Sequence, residues 1–152
     1  TPQMVVDGRR EFVGSNAGEA NKAIAEAAKE IKGDIAIEVG KLAGNNLPVS
    51  VKIENLPQIS KNDGAIVLLA VTENNLTTDV PRGENSGRKL PHTGVVRYLQ
   101  NIGDVAADKT FTSTVVLERG WQRKNLNLVA FVQETGSRKV IGATKISLKD
   151  QF

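Results

Sequence analysis

Apolar and polar residues alternate along most of the chain beyond residue 34. An alternation of period two is typical of a strand with one face buried and one exposed. Ala65–Val71 (AIVLLAV) differs because it is apolar at every position, so we expect a central strand covered on both faces, with Leu68 buried. The predicted strands are Ile35–Lys41, Val49–Glu54, Ala65–Glu73, Val95–Asn101, Phe111–Glu118, Leu126–Gln133 and Val140–Leu148.

The first 33 residues have a different pattern. Two β-prone runs flank Asp7-Gly8, a pair that favours a two-residue hairpin turn because glycine accepts positive φ. Small apolar residues then recur at intervals of three and four, which predicts a helix from about Asn16 to Lys32. Gly33 follows at the place where a helix often ends in a left-handed residue.

These patterns predict an α+β chain with a boundary near residue 33. Turn residues such as Asn62-Asp63-Gly64 separate the later strands, which favours an antiparallel β-sandwich over residues 34–152. Residues 1–33 are fewer than the roughly 40 that fold unaided. We therefore expect a second polypeptide to complete their sheet beside Gln3–Val6, or a homodimer formed by a swapped copy of the same element.

The connector from Thr77 to Val95 lacks either period and is rich in proline, glycine and charge. Long polar loops within compact domains are often functional. One hypothesis is an anion site built from a backbone nest at Gly83 and Gly87 together with nearby cations. The other is a loop ordered by ion pairs of arginine with Asp79 or Glu84. The candidate ligand-binding residues are Arg82, Glu84, Arg88, Lys89, His92 and Arg97.

The same connector contains the only histidine, and it does not match a phosphate loop. Gly83–Lys89 (GENSGRK) has arginine after its second glycine and no serine or threonine after its lysine. A single histidine makes neither a metal cluster nor a triad, so His92 is interpreted as a hydrogen-bonding residue at the surface or between domains. We predict no catalytic residue, no metal ligand and no cofactor.

Composition narrows the function further. The 152 residues carry a formal charge of +3, too small and too dispersed to indicate nucleic-acid binding. The chain has no cysteine and therefore no thiol chemistry of its own. No apolar run approaches the roughly 20 residues that span a bilayer, and we predict no membrane span. The chain begins at Thr1 without methionine, which leaves open a natural, processed or artificial start.

Two stretches carry a resemblance to a known family. TPQMVVDGRREFVGS, followed by the alanine-rich helix, resembles the second half of a thioredoxin-like fold. Together with VPRGENSGRKLPHTGVVRYLQNIG, it is similar to the C-terminal portion of a secreted bacterial family of unknown function with a thioredoxin-like N-terminal half. The resemblance implies a periplasmic or secreted location, redox cysteines upstream, and a cis-proline redox-cleft wall at Thr1 and Pro2.

Three functions remain open. The first is a non-catalytic binding or scaffolding module of a secreted thioredoxin-like protein. The second is a thiol-disulfide oxidoreductase whose cysteines lie in an upstream segment, and the third is an anion- or carbohydrate-binding sandwich. A cysteine-containing strand and helix upstream would favour the second, whereas basic side chains that converge on one pocket would favour the third.

Overall fold

The computed structural model describes residues 2–151, and most of them lie in β-strands. The chain begins with a hairpin and a helix and continues as strands, with one short 3₁₀-helix at Arg123–Asn125. The elements are β1 (Gln3–Val6), β2 (Arg10–Val13), α1 (Ala17–Ala27), β3 (Asp34–Val39), β4 (Asn46–Glu54), β5 (Ala65–Glu73), β6 (Leu76–Asp79), β7 (Lys89–His92), β8 (Val95–Val105), β9 (Lys109–Val116), β10 (Leu126–Glu134) and β11 (Val140–Ser147).

Two larger sheets contain seven of these strands. One has four strands in the order β11-β10-β5-β8, and the other has three in the order β3-β4-β9. All neighbouring strands pair antiparallel. The sheets bury one face each in a shared apolar core, whose fully buried side chains include Leu47, Val51, Ile53, Val67, Leu69, Val71, Val115, Leu126, Leu128 and Val132.

β5 is the central strand, but only one of its faces is in this core. Val67 and Leu69 are fully buried in the core, whereas Ile66 and Leu68 are partly exposed and lie outside it. Because successive strand residues point to opposite faces, the even-numbered residues of β5 lie on the outer side of the sheet. The prediction that β5 is covered on both faces, with Leu68 buried, is wrong.

The hairpin at residues 3–13 is confirmed, and the helix is shorter than predicted. Asp7 and Gly8 both have positive φ, 50° and 72°, as their turn requires. The helix begins after Asn16, whose side chain accepts from the Glu19 amide, and it ends at Ala27 rather than Lys32. Gly33 does not cap it: the glycine is buried, and its amide donates to the Ile141 carbonyl over 2.8 Å.

The predicted fold class is wrong. Half of a thioredoxin-like fold would make residues 1–33 part of a larger mixed sheet, but β1 and β2 pair only with each other within the described residues. The chain is mostly β, with a single α-helix in residues 2–151 and several small antiparallel sheets. An Asp-Gly turn and a stripe of small residues are local signals, and they fit any hairpin followed by a helix.

The hairpin and helix dock against the β10–β11 end of the four-stranded sheet. The Asp7 carbonyl accepts from the Val140 amide over 3.0 Å, and Lys32 Nζ lies 2.7 Å from the Val140 carbonyl. Lys139 Nζ lies 2.6 Å from Glu30 Oε2, and this contact is the main cause that lowers the pKa of Glu30. A domain boundary near residue 33 stays a prediction, and the link across it is polar.

The connector contains two short strands that the sequence did not indicate. β6 and β7 pair from Leu76 with His92 to Asp79 with Lys89. Every residue in 81–89 is exposed. The hairpin forms a separate two-stranded sheet beside the sandwich. None of the helices in residues 2–151 has the length and apolarity needed to cross a membrane.

Candidate functional site

The β6–β7 hairpin carries most of the predicted ligand-binding residues. Asp79 and Lys89 face each other across its strands, with Lys89 Nζ 3.6 Å from Asp79 Oδ1. Both side chains are more than three-quarters exposed, at 80% and 77%. Because water screens such a pair, it contributes little to stability, and Lys89 remains accessible to an anion.

Several backbone amides of the hairpin turn donate hydrogen bonds to carbonyls of the same hairpin. Gly83 and Gly87 have φ of 91° and 79°, as a nest would require. However, the Ser86 amide donates to the Gly83 carbonyl and the Gly87 amide to the Val80 carbonyl, over 3.0 and 2.8 Å. The Arg88 amide donates to the Asn85 carbonyl. An anion here would therefore be bound by side chains rather than by these amides.

Three charged side chains of the turn face solvent. Arg82, Glu84 and Arg88 are exposed, and none of them makes an ion pair with another described residue. One hypothesis was that ion pairs of arginine with Asp79 or Glu84 order the loop. Within the described residues Asp79 instead pairs with Lys89. The two arginines carry charge that no described carboxylate neutralises.

His92 lies at the base of the hairpin. Its Nε2 is 3.0 Å from Thr78 Oγ1, a hydrogen bond between β6 and β7. The ring also lines a shallow cleft of about 390 Å³ together with Thr78, Val95 and Arg97. No carboxylate contacts the ring among residues 2–151, so these contacts give His92 a hydrogen-bonding role.

Arg97 is held by an acid that the sequence did not indicate. Its Nε donates to Glu73 Oε2 over 2.7 Å, and the Glu73 side chain is fully buried. Glu73 Oε1 accepts from the Gln122 amide over 2.8 Å. Glu73 is the last residue of the apolar strand β5, and in the sequence its charge indicated only where the strand ends. The positive charge of the Arg97 guanidinium is therefore already neutralised by the buried carboxylate of Glu73.

The predicted redox-cleft wall consists of Thr1 and Pro2, of which only Pro2 is among the described residues. Thr1 is outside the described residues, and so is the bond that joins it to Pro2. Pro2 is exposed, and its carbonyl accepts from the Gly14 amide over 2.7 Å. A shallow depression beside it is lined by Phe12 and Val13. The role of Thr1 and Pro2 as a cleft wall stays a prediction.

Two further acids, Asp63 before β5 and Glu134 at the end of β10, were not among the predicted site residues. Asp63 Oδ1 accepts from the Gly136 amide and Oδ2 from the Ser137 amide, over 2.7 and 2.9 Å. Glu134 is buried and accepts from the Ser60 amide and hydroxyl, over 2.7 and 2.8 Å. These contacts fasten the loop before β5 to the β10–β11 turn, and both acids have structural partners.

The hydrogen bonds set the protonation of both acids. The Ser137 and Gly136 amides lower the pKa of Asp63 to about 2. Burial raises the pKa of Glu134, but hydrogen bonds from Ser137 and Ser60 outweigh it, and the net pKa is lowered. Depressed carboxyl pKa values stabilise the folded state above the unfolded pKa, and this contribution is lost as the pH falls through the folded pKa.

We therefore expect acid to destabilise the protein between pH about 3.8 and about 2, the unfolded and folded values for Asp63. Thermal unfolding measured at intervals across that range should show a falling midpoint. Asp63→Asn should flatten the fall, because the substituted side chain does not titrate. An equally steep fall in this variant would contradict the assignment.

Other parts of the chain offer less chemistry. The described residues contain no group of three or more His, Cys, Asp or Glu side chains that could hold a metal ion. An open depression at the three-stranded sheet is lined by residues that include Glu38, Ser50, Thr112 and Thr114. Its described lining has no aromatic ring on which a sugar could stack.

The chain is therefore a mostly β, antiparallel module with an exposed cationic turn. Its buried acids Glu73 and Glu134 already have hydrogen-bond partners within the protein. The chain belongs to the DUF1223 family, described as a protein of unknown function, whose model matches residues 1–133. The resemblance to a family of unknown function is thereby confirmed. A thioredoxin-like half upstream and secretion stay predictions.

Two solved structures from Porphyromonas gingivalis are similar in fold. HBP35 aligns with a TM-score of 0.61 at 18% identity, over 94% of this chain and 49% of that one. A domain of the outer membrane lipoprotein Omp28 aligns with a TM-score of 0.51 at 16% identity, over 77% and 88%. The chain thus spans about half the length of HBP35. No curated protein matches.

Proposed function

We propose that the chain is a non-catalytic binding and scaffolding module, and that its β6–β7 hairpin contacts an anionic ligand. The observation that carries the proposal is the exposed turn at residues 81–89, where the side chains of Arg82 and Arg88 are without ion pairs among the described residues. Lys89 adds a cation whose only ion pair within residues 2–151 is exposed.

The charges of the turn favour an anion over a cation. Arg82, Arg88 and Lys89 outnumber Glu84 and Asp79, and arginine forms bidentate bonds with phosphate or carboxylate. His92 and Arg97 lie at the base of the hairpin and are engaged by Thr78 and Glu73. The proposed contact is therefore made by the turn, and the two residues at its base support the hairpin.

The test is binding of inorganic phosphate by titration calorimetry at low ionic strength. Arg82→Ala with Arg88→Ala should weaken binding at least about tenfold and leave the free energy of unfolding nearly unchanged, since exposed charges contribute little. Arg119→Ala with Lys124→Ala is the matched control, because it removes two exposed cations elsewhere. Equal affinity in both double variants, or no binding by the parent protein, would refute the proposal.

The location of the module is a second part of the proposal. We place it outside the cytoplasm, in the periplasm or beyond, and the likeness of its fold to a domain of the outer membrane lipoprotein Omp28 supports this. Fractionation of cells that express the native protein would test it. Recovery with the cytoplasmic fraction alone would contradict the assignment.

The other functions have less support. A thiol-disulfide oxidoreductase requires cysteines that this chain lacks, and no contact within residues 2–151 favours that function. A strand from a second polypeptide beside β1 stays a prediction, and hydrogen exchange of the amides in Gln3–Val6 would measure it. Strong protection of these amides in a monomer would show that the chain closes this edge itself.

A further inference from the structure

The outer side of the four-stranded sheet carries an apolar surface that lies outside the core, and the turn of the first hairpin reaches it at Gln133. Here the outer face means the side that carries Leu68 and Phe131, away from the shared core. Val96 and Leu99 on β8 are 57% and 56% exposed. Ile66, Leu68, Val129 and Phe131 beside them are partly exposed and do not belong to the core.

The strand register shows how this surface is arranged. Leu68 lies between Phe131 on β10 and Asn101 on β8. The next row places Ala70 between Val129 and Leu99. Ala70 is only 4% exposed although it lies on the outer face, because its larger neighbours shield it. The centre of the outer face is therefore continuous and apolar, as in surfaces that bind other proteins.

Two opposite charges lie diagonally across the outer face, on its two edge strands. Lys145 on β11 is opposite Val129, and Asp104 on β8 is opposite Ile66. Three strand spacings and four residues separate them, about 14 Å in each direction. The midpoint of the diagonal falls between Leu68 and Phe131, at the centre of the apolar surface.

We infer that the outer face is the contact surface of a homodimer, with Lys145 of each copy against Asp104 of the other. A two-fold axis over Leu68 and Phe131, perpendicular to the diagonal, exchanges the two charges. Such an axis runs at about 45° to the strands, so the paired sheets cross at about 90°, one of the two common arrangements of packed sheets. Because a two-fold interface is self-complementary, one acid and one base on one surface suit a second copy.

The area of the outer face sets the strength of the dimer. Four strands about 4.8 Å apart and four rows about 6.8 Å apart cover roughly 500 Å² per copy. The total of about 1,000 Å² is at the lower limit for a specific interface. The dimer is therefore weak and dissociates on dilution.

Sedimentation velocity from about 1 µM to about 1 mM tests the inference. The parent protein should pass from monomer to dimer within this range, as expected for a small interface. Lys145→Asp alone and Asp104→Lys alone should each raise the dissociation constant at least about tenfold, because like charges then meet across the axis. A mixture of the two variants should form a heterodimer about as tight as the parent dimer.

Controls separate this interface from folding and from anion binding. Lys61→Asp changes the same charge in the exposed loop before β5 and should leave dimerisation unchanged. Arg82→Ala with Arg88→Ala should also leave it unchanged, since the inference does not rest on the anion site. A monomer at about 1 mM, a dimer insensitive to both charge reversals, or a mixture that does not associate would each overturn the proposal.

Discussion

Replacing Leu69 with alanine is expected to lower the free energy of unfolding by about 2 to 5 kcal/mol. Leu69 is fully buried at the centre of β5, between β8 and β10. Its loss removes apolar burial and leaves a cavity that the two sheets cannot fully close. Urea titration monitored by circular dichroism would measure the change.

The adjacent leucine supplies a matched control. Leu68 is next in the same strand but lies on the partly exposed outer face. Leu68→Ala removes the same atoms from a site that water already reaches, so its effect in the monomer should be well below that of Leu69→Ala. Equal losses in the two variants, measured at monomer concentrations, would show that both faces of β5 are covered.

Arg97→Ala is expected to destabilise the protein by about 3 kcal/mol, because it leaves the fully buried carboxylate of Glu73 without its cation. The estimate is at the lower end for a buried pair, since the Arg97 side chain is 32% exposed. Arg88→Ala is the matched control: this arginine is exposed in the β6–β7 turn without an ion pair among the described residues.

A double replacement tests the cause. Glu73→Gln keeps an acceptor for the Gln122 amide but removes the buried charge. Combined with Arg97→Ala, it should destabilise the protein less than Arg97→Ala alone, since no uncompensated charge is then left inside. A double variant that is no more stable than the single one would mean that the lost packing of the Arg97 stem, rather than the lost charge, is responsible.

Strong local patterns in the sequence predicted real elements. Asp7-Gly8 marked the first hairpin because both positions need positive φ, and the run from Ala65 to Glu73 became β5 with those limits. The apolar run could not show that one face of β5 is open, because the pattern records hydrophobicity and not what covers it. An apolar outer face and a buried one are alike in sequence.

The fold class and the supporting acids depended on contacts distant in sequence. Glu73 meets Arg97 and the Gln122 amide, and Glu134 meets Ser60, partners between 24 and 74 residues away. Short strands with little apolar content, such as β6 and β7, gave no period to detect. The predicted cations of the turn were placed together because they are also neighbours in sequence.

The link between the first hairpin and β11 has a consequence for the order in which the chain folds. Lys32, which follows the helix, bonds both to Asp7 of the hairpin and to Val140. Lys32 and Val140 are 108 residues apart in sequence. A ribosome releases the N-terminal segments first, so the hairpin and helix leave it long before the residues against which they rest. They must wait, undocked, until β10 and β11 have emerged and paired. A ribosome stalled before residue 140 would therefore carry a nascent chain whose hairpin is open to proteolysis.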